Sequence, residues 1–393
     1  MNHQRGGEEE EDGKKQSLKV IFRKLDLEKR DPYLESETKV TKKHNGSIFR
    51  VANHIKEQNP SAYEPKHVSI GPYYYGRAQL KPMQIHKERS LTHFLKRSKP
   101  PLQSYLDKLM EAVRESYDEL DKMEEWTDDD EFVMLMMFDG VFLLEFLSIS
   151  RGHQNNKDYG SNDPIFGVDG YRLIYDSLMQ DLLLLENQLP YLVLYTLLSV
   201  SRELPDQSVK SILSWLMFAP KCDPGLHLLD MYMKGLLRDG QYTTNWDEMI
   251  VKHSASELHR CGIQFKGVQS VHGIEFDMTT ATLKLPPIII NKQTLSTVLN
   301  LKAYETRMGK NREYNSYIHL INSLVESSKD VMLLQSKGII VNAFGSYEVV
   351  ADIVKEFSKN TVVDINSMSA VVVQQMDKYY NKNTKKKCWR LLR

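Results

Sequence analysis

The sequence predicts a mainly α fold, a large helical body with a small antiparallel β-sheet in its C-terminal half. Two observations carry this prediction. Along most of the chain, apolar residues recur at steps of three and four, which is the period of an amphipathic helix. Alternating apolar and polar residues appear mainly in 262–290, in "CGIQFKGV" and "GIEFDMTTATLKLP", and that pattern is typical of short strands.

Residues 1–45 are predicted to form an acidic, partly disordered tail with one short helix. The tail begins "MNHQRGGEEEEDGKK", whereas a signal peptide has a basic start followed by an apolar run. We therefore expect a chain that is not secreted. The short helix is predicted from Leu18 to Lys29 and stops before Pro32, because the residue that precedes a proline avoids helical geometry.

An N-terminal helical lobe is predicted over 46–220. Its first helix has Pro82 in the first turn and ends at Pro100, since proline fits a helix start and cannot continue a helix. A second helix is predicted from Leu106 to Met123, where apolar residues mark one face.

Two longer apolar runs, 132–149 and 182–200, are each nearly long enough to span a bilayer. The first run contains Asp139 and Glu145, and the second contains Glu186. Acidic side chains are costly in lipid, and helices that are apolar all round suit the centre of a helical domain. We therefore predict that both runs are core helices.

A C-terminal helical lobe that carries the small sheet is predicted over 221–380, beyond a soft boundary near Pro220. Helices are expected at 226–237 and again from Thr294 onward. Gly338 fits a helix C-cap, and "SYEVVADIVKEFSK" begins with a serine suited to a helix N-terminus.

Composition excludes several classes of function. Lys plus Arg and Asp plus Glu number 52 each, so no overall charge attracts nucleic acid, and we expect no nucleic-acid partner. The three cysteines lie far apart, which fits a reducing compartment rather than a zinc or redox centre. The sequence contains no nucleotide-binding glycine motif, no nucleophile elbow and no HExxH zinc motif. We therefore predict no cofactor.

The best candidates for catalysis are the carboxylates of Asp139, Glu145 and Glu186. A carboxylate in apolar surroundings can have a raised pKa that suits acid or base catalysis. An enzyme that uses Asp139 or Glu186 in a helical pocket is therefore the alternative function. Six residues turn a helix by about 600°, so Asp139 and Glu145 are predicted to face different sides.

Two other pairs have the residue types of a site. His227 and Asp230 lie three residues apart on a predicted helix and could supply two metal ligands, although a hydrogen-bonded pair is the simpler interpretation. His259 and Cys261 offer a Cys–His pair, but a buried structural cysteine is the commoner case. No metal site is predicted.

The last residues, 381–393, are predicted to be a basic tail. The tail contains Lys385–Lys387 followed by Trp389. Such basic patches are usually solvated or lie beside a membrane surface.

Several sequence blocks occur in the same order in a known plant family. They are "VSIGPY" and the helix that starts "PMQIHK", then "FVMLMMFDGVFLLEF", "LENQLP" and "ELHRCGIQF". From about residue 46 to 390, the chain resembles the plant family known as domain of unknown function 247. It departs from the family at Val141, where cysteine is common, and in lacking the usual membrane-spanning segment after the Trp-rich stretch.

The resemblance implies an uncharacterised plant protein without enzymatic activity. Its expected role is recognition or signalling in association with a membrane, through an unknown protein partner. Certain grass members of the family are linked to pollen self-incompatibility, so self-recognition is one specific role that the resemblance implies. The family-motif positions, of unknown role, are Ser69, Gly71, Pro72, Tyr73, Lys87, Asp139, Gly140, Glu186, Asn187, Gln188 and Pro190.

The resemblance also implies an environment for the motif residues and a cellular location for the chain. We expect Asp139 and the Glu186–Gln188 block to be buried polar groups that meet helix ends or loops, because an unpaired buried group costs roughly 1–3 kcal/mol. The tyrosines of "PYYYG" are expected to pack. Relatives usually end in one spanning helix with the globular body in the cytosol, whereas this chain stops at "KKKCWRLLR". We therefore expect a cytoplasmic chain with weak or no membrane contact.

Overall fold

Most of the chain is helical, as the apolar periodicity predicts. The structure is a computed structural model, which describes residues 46–109, 116–118, 120, 123, 126, 128–150, 159–202, 204–219, 222–237, 253–269, 271–308, 312–357 and 367–391. Its first seven α-helices are α1 (Asn53–Lys56), α2 (Gln84–Arg97), α3 (Leu102–Leu109), α4 (Asp129–Ser150), α5 (Val168–Leu182), α6 (Tyr191–Arg202) and α7 (Asp206–Leu216). The later ones are α8 (Leu228–Leu237), α9 (Ala255–Arg260), α10 (Thr294–Met308), α11 (Glu313–Leu324), α12 (Ser328–Ser336), α13 (Tyr347–Glu356) and α14 (Met368–Leu391).

Short strands in the C-terminal half form two small sheets in the described part of the chain. They are β1 (Gln264–Gly267), β2 (Glu275–Asp277), β3 (Thr282–Leu285), β4 (Ile288–Ile290) and β5 (Ile340–Asn342). The first sheet has the order β1-β3-β2, and the second pairs β4 with β5. The mainly α class with a small sheet is confirmed.

The strand pairing is mixed rather than purely antiparallel. β2 and β3 are antiparallel, because a tight turn joins them, in which Asp277 accepts the amide of Thr279 at 2.8 Å. β1 reaches β2 through a 3₁₀ turn at Val271–Gly273 and lies on the other edge of β3, so β1 and β3 are parallel. The β4–β5 pair is also parallel, since three helices intervene between these strands.

Helix α4 lies at the centre of the N-terminal half and packs on α2, α3 and α6. Within the described residues, it is the one helix long and apolar enough, over Asp129–Ile149, to cross a membrane. Of its most apolar window, 78% is buried inside the protein. Phe142 and Phe146 on α4 stack with ring centroids 6.2 Å apart. A tightly packed interior explains this apolar composition.

The second apolar run, 182–200, is not one helix, which corrects the prediction. α5 ends at Leu182 and α6 begins at Tyr191, and buried turns connect them. Pro190 disfavours helical geometry at the residue before it. The polar side chains of this turn also bond to main-chain groups, which competes with helix formation.

Two further helix boundaries differ from the predictions. Pro82 lies inside a 3₁₀ helix, Ala78–Met83, and α2 starts at Gln84. The helix predicted from Leu106 to Met123 is described as α3 only as far as Leu109, and residues 110–115 lie outside the described residues. Tyr117 instead forms an isolated bridge with Ile48, because pairing between distant chain segments overrides the local helical pattern here.

Both predicted helix caps are confirmed. Gly338 follows α12 with a φ of 71°, which glycine adopts without strain. At the start of α13, the hydroxyl of Ser346 accepts the amide of Val349 at 3.3 Å.

Residues Ser47–Arg393 group into one compact unit. The other unit, Met1–Gly46, lies outside the described residues except for Gly46, and so does the predicted short helix. The lobe boundary near Pro220 stays a prediction, and Pro220 itself is not among the described residues. The basic tail continues α14 as far as Leu391.

Candidate functional site

The predicted motif positions meet around a non-helical segment, residues 66–71, that belongs to neither sheet. Its Val68 and Ile70 side chains are buried, so its main-chain amides need partners inside the protein. Side chains of α2, α4, α5 and the turn after α5 supply them. We call this arrangement the motif cluster: segment 66–71 with Lys87, Asp139, Asp181, Glu186, Asn187 and Gln188.

Asp181, in the last turn of α5, holds the start of the segment. Its carboxylate accepts the consecutive amides of Lys66 at 3.0 Å, His67 at 2.6 Å and Val68 at 2.9 Å. Burial raises the pKa of Asp181, and the three amides oppose this rise. The Asp181 carboxylate thus accepts hydrogen bonds from three main-chain amides that in a β-sheet would donate to a neighbouring strand.

Asn187 holds the middle of the segment through both ends of its amide. Its Oδ1 accepts the amide of Ile70 at 2.6 Å, and its Nδ2 donates to the carbonyls of Val68 at 3.1 Å and Asp181 at 2.9 Å. Because these contacts use a donor and an acceptor together, aspartate or leucine in its place would leave buried groups unpaired.

Asp139 and Lys87 hold the end of the segment through a buried ion pair. The Asp139 carboxylate, 0% exposed, accepts Lys87 Nζ at 2.5 Å and the amide of Gly71 at 2.7 Å. Lys87 Nζ also donates to the carbonyl of Ser69 at 2.5 Å. Burial raises the pKa of Asp139, while the Lys87 ammonium and the Gly71 amide oppose the rise. This pair therefore joins α2, α4 and the segment.

Glu186 bonds three parts of the chain that are distant in sequence. One carboxylate oxygen accepts the amide of Val51 at 2.6 Å. The other accepts Lys56 Nζ at 2.6 Å and the hydroxyl of Tyr74 at 2.9 Å. Burial and the nearby Glu186 charge raise the pKa of Tyr74, so this phenol remains a neutral donor.

Gln188 completes the turn between α5 and α6. Its Nε2 donates to the carbonyls of Leu182 and Leu184, both at 2.7 Å. Its Oε1 accepts the amide of Leu229 at 2.9 Å. The side chain thus satisfies carbonyls left open at the end of α5 and an amide in the first turn of α8.

Two motif glycines, Gly71 and Gly140, allow neighbouring parts of the chain to pack closely against their Cα atoms. A Cβ on Gly71, whose φ is +72°, would lie 2.6 Å from the main-chain oxygen of Gln188. A Cβ on Gly140 would lie 2.6 Å from Leu197 and 2.8 Å from Val193 on α6. Larger residues at either position would push the neighbouring element away.

The other motif positions contribute to packing. The Tyr73 hydroxyl donates to the carbonyls of Ile48 at 3.0 Å and Asp118 at 2.6 Å. Pro72 is buried beside it, and Pro190 forms an isolated bridge with His227. Each of these contacts ties an element of the cluster to a distant part of the chain.

The cluster leaves no carboxylate oxygen of Asp139 or Glu186 without a bonded partner. The two side chains are 0% and 1% exposed, whereas acid or base catalysis requires contact between the carboxyl group and a substrate. Across the described ranges, no group of three or more His, Cys, Asp or Glu residues is arranged to hold a metal. The hydrogen bonds of the motif cluster hold the main chain of segment 66–71 in place, which is a structural role.

Comparison with known proteins agrees with the family resemblance of the sequence blocks. The profile of the family DUF247, described as plant protein of unknown function, matches residues 48–393. The chain belongs to this family. The chain is also similar to UPF0481 protein At3g47200 of Arabidopsis thaliana, with 28% identity in an alignment 392 positions long that covers 86% of this chain and 79% of that protein. Putative UPF0481 protein At3g02645 is 29% identical over 144 residues, 35% of this chain and 27% of that protein. No solved structure matches the chain.

The third predicted carboxylate of this DUF247 chain, Glu145, lies apart from the motif cluster. It pairs with Arg97 on α2 and accepts the hydroxyl of Tyr159 at 3.2 Å. A small cavity of about 160 Å³ lies beside it. Asp139 and Glu145 therefore have different partners, as the helical geometry predicts.

His227 and Asp230 form a helix-end contact. The Asp230 amide lies 3.3 Å from His227 Nδ1, and His227 Nε2 lies 3.2 Å from the carbonyl of Ser47. These contacts fit a neutral imidazole that donates from Nε2 and accepts at Nδ1. Burial lowers the pKa of His227 to about 4.

His259 and Cys261 do not bond to each other through their side chains. His259 Nδ1 lies 3.1 Å from the carbonyl of Ile263, and the free thiol of Cys261 is half-buried. His259 therefore belongs to the last turn of α9, and Cys261 is the residue that follows the helix.

Sequence reasoning missed Asp181, Lys56 and Tyr74 as members of this network. Asp181 lies four residues before the block "LENQLP" and directly before an apolar run, and an acid at that place is the signal that could have identified it. Lys56 and Tyr74 meet Glu186 across separations of 130 and 112 residues, and no local pattern indicates such contacts.

Proposed function

We propose that this chain is a plant recognition or signalling protein that has no enzymatic activity and associates with membranes. The observation that supports the absence of enzymatic activity is that hydrogen-bond donors of the protein itself occupy every carboxylate oxygen of Asp139 and Glu186. The alternative, an enzyme that uses Asp139 or Glu186, requires a substrate to reach carboxylates that are 0% and 1% exposed. Self-recognition in pollen is one specific form of the proposed role.

Membrane association is supported by the basic end of α14. The helix runs to Leu391 and includes Lys385, Lys386, Lys387 and Arg390, with Trp389 among them. Near an anionic membrane each basic residue contributes about 1 kcal/mol, and tryptophan favours the interface. We propose that this segment meets the cytosolic face of a membrane weakly and reversibly.

Fractionation of the tagged full chain at low and high salt tests this proposal. We expect the chain in the membrane fraction at low salt and its release at high salt, because screening weakens surface electrostatics. The control is the triple variant Lys385→Gln, Lys386→Gln and Lys387→Gln, which we expect in the soluble fraction at both salt concentrations. A pellet that only detergent releases contradicts the proposal, since α4 or another apolar segment would then enter the bilayer.

Proximity labelling in plant tissue tests the recognition role. With the labelling enzyme fused to the full chain, we expect the same protein neighbours in repeated experiments, and fewer of them with the triple variant. Labelling no stronger than that of the free labelling enzyme would contradict the proposal.

A further inference from the structure

A separate cavity, between α5 and elements of the C-terminal half, has the size and lining of a small-molecule site. It measures about 430 Å³ and is lined by α5, α8, α10, α11 and the edge around β4. Ligand sites commonly measure roughly 300–1,000 Å³ and combine apolar walls with a few polar groups. This cavity has four tyrosines, Tyr175, Tyr232, Tyr314 and Tyr317, beside apolar residues such as Leu183 and Val298.

Two of the tyrosine hydroxyls have no hydrogen-bond partner within the described part of the chain. Tyr314 is only 5% exposed; its main-chain amide donates to Glu305, but its hydroxyl has no bond to a described residue. Tyr232, on α8, is half-buried and has no side-chain hydrogen bond to a described residue. Burial raises the pKa of Tyr314, and the nearby Tyr232 phenol raises it further. Neither hydroxyl is among the fully buried side-chain atoms that lack a partner, and both residues line the cavity. Both hydroxyls are therefore available to donate to a ligand that carries an acceptor.

Neighbouring hydroxyls in the same cavity are already bonded. The Tyr317 hydroxyl donates to the carbonyl of Pro286 at 3.1 Å. The Thr294 hydroxyl donates to the carbonyl of Ile289 at 2.8 Å and accepts the amide of Asn291 at 2.8 Å. The hydroxyls of Tyr232 and Tyr314, in contrast, are donors that no described residue uses.

The charges around the cavity limit the chemistry of the ligand. No Lys, Arg or His is among the described residues that line it, and its one acid, Asp176, is exposed. An anion would lose its hydration here without a cation to replace it. A cation would leave the two phenol donors without an acceptor.

We propose that this cavity, the tyrosine cavity, binds a neutral, mainly apolar small molecule whose carbonyl or hydroxyl oxygen accepts hydrogen bonds from Tyr232 and Tyr314. The apolar walls contact the body of the ligand, and the tyrosines fix its orientation. This binding activity is independent of the membrane and recognition roles proposed above.

Fluorescence titration of the full chain with Nile red tests the proposal, because this dye is neutral, aromatic and carries a carbonyl oxygen. We expect saturable binding at one site. Tyr314→Phe and Tyr232→Phe should each weaken binding about three- to tenfold, which corresponds to the loss of one hydrogen bond. Thr297→Trp, which places a large ring in the cavity, should abolish binding.

Matched controls locate the binding site. Tyr347→Phe, on α13 outside the cavity, should leave the dye affinity unchanged, and the anionic dye ANS should bind more weakly than Nile red. Tyr314→Phe should not lower the melting temperature, because the hydroxyl it removes has no protein partner. The proposal is overturned if the folded chain does not bind Nile red, or if Tyr314→Phe, Tyr232→Phe and Thr297→Trp all bind it like the unaltered chain.

Discussion

The motif cluster and the tyrosine cavity both bury polar side chains, but they differ in how those side chains are bonded. In the cluster, Asp139, Glu186 and Asn187 bond to main-chain or lysine groups at 2.5–3.1 Å. In the cavity, the hydroxyls of Tyr232 and Tyr314 lack such partners within the described residues.

This difference separates positions that maintain the fold from positions that can bind. A saturated buried group stabilises one chain arrangement, and its removal leaves its partners unpaired. A hydroxyl that lines a cavity without a protein partner contributes little to stability and remains available to a ligand. The family motifs fall in the first region, so their recurrence in the family does not by itself indicate an active site.

The largest expected effect comes from Glu186→Ala in the cluster. The change leaves the Val51 amide, Lys56 and the Tyr74 hydroxyl without their acceptor, so we expect the free energy of unfolding to fall by about 3–5 kcal/mol. Urea unfolding followed by circular dichroism measures it. Glu88→Ala, at an exposed position on α2, is the control and should have no comparable effect. A Glu186→Ala protein that kept its melting temperature but lost a biochemical activity would show that the interpretation is wrong.

Two glycines with similar backbone conformations allow the stability cost of close packing to be distinguished from the cost of left-handed geometry. Gly71 and Gly76 have φ values of +72° and +76°, but only Gly71 has atoms within 4 Å of an added Cβ. Gly76→Ala should cost about 1–2 kcal/mol, for left-handed geometry alone. Gly71→Ala should cost about 2–5 kcal/mol, because overpacking adds about 1–3 kcal/mol. Equal losses in thermal unfolding would mean that segment 66–71 does not pack tightly on Gln188.

A smaller effect is expected from pH at His227, which packs beside the cluster. Burial lowers its folded-state pKa from 6.5 to about 4, so folding favours the neutral ring. This contribution is fully present above pH 6.5 and is lost as the pH falls toward 4. Between pH 7 and pH 5 the loss is about 2 kcal/mol, at 1.36 kcal/mol for each pH unit below the unfolded pKa.

The control for this effect is His227→Gln, which does not titrate. We expect it to be less stable at pH 7 but to lose about 2 kcal/mol less than the unaltered chain between pH 7 and pH 5. Parallel pH dependence of the two proteins in urea unfolding would show that His227 does not titrate as its burial requires.

Local sequence signals predict the parts of the fold that depend on local contacts. Helix α4 follows from one apolar run, and the caps at Gly338 and Ser346 follow from their own side chains or backbone conformation. The position of β1–β3 follows from short-range alternation. Their mixed pairing does not, because it depends on which edge of β3 receives β1.

The contacts of both buried regions could not be predicted from local pattern. Asp181 meets the amide of Val68 across 113 residues, and Pro190 with its polar neighbours converts an apolar run into a turn. Tyr314 lies in the apolar stripe of a helix, where sequence indicates only core. That its hydroxyl lines a cavity becomes visible only in the structure, where residues of α8 and α11 line the same cavity.

The buried Lys87–Asp139 pair gives the most direct test of the structural role of the cluster. The measurement is a double-mutant cycle of Lys87→Met and Asp139→Asn, with unfolding free energies from urea titration. We expect each single change to cost about 3–5 kcal/mol, because it leaves a buried partner uncompensated. The double change should cost less than the sum of the two, with a coupling energy of about 2–3 kcal/mol. Losses that add within about 0.5 kcal/mol, or single variants as stable as the unaltered chain, would contradict the account.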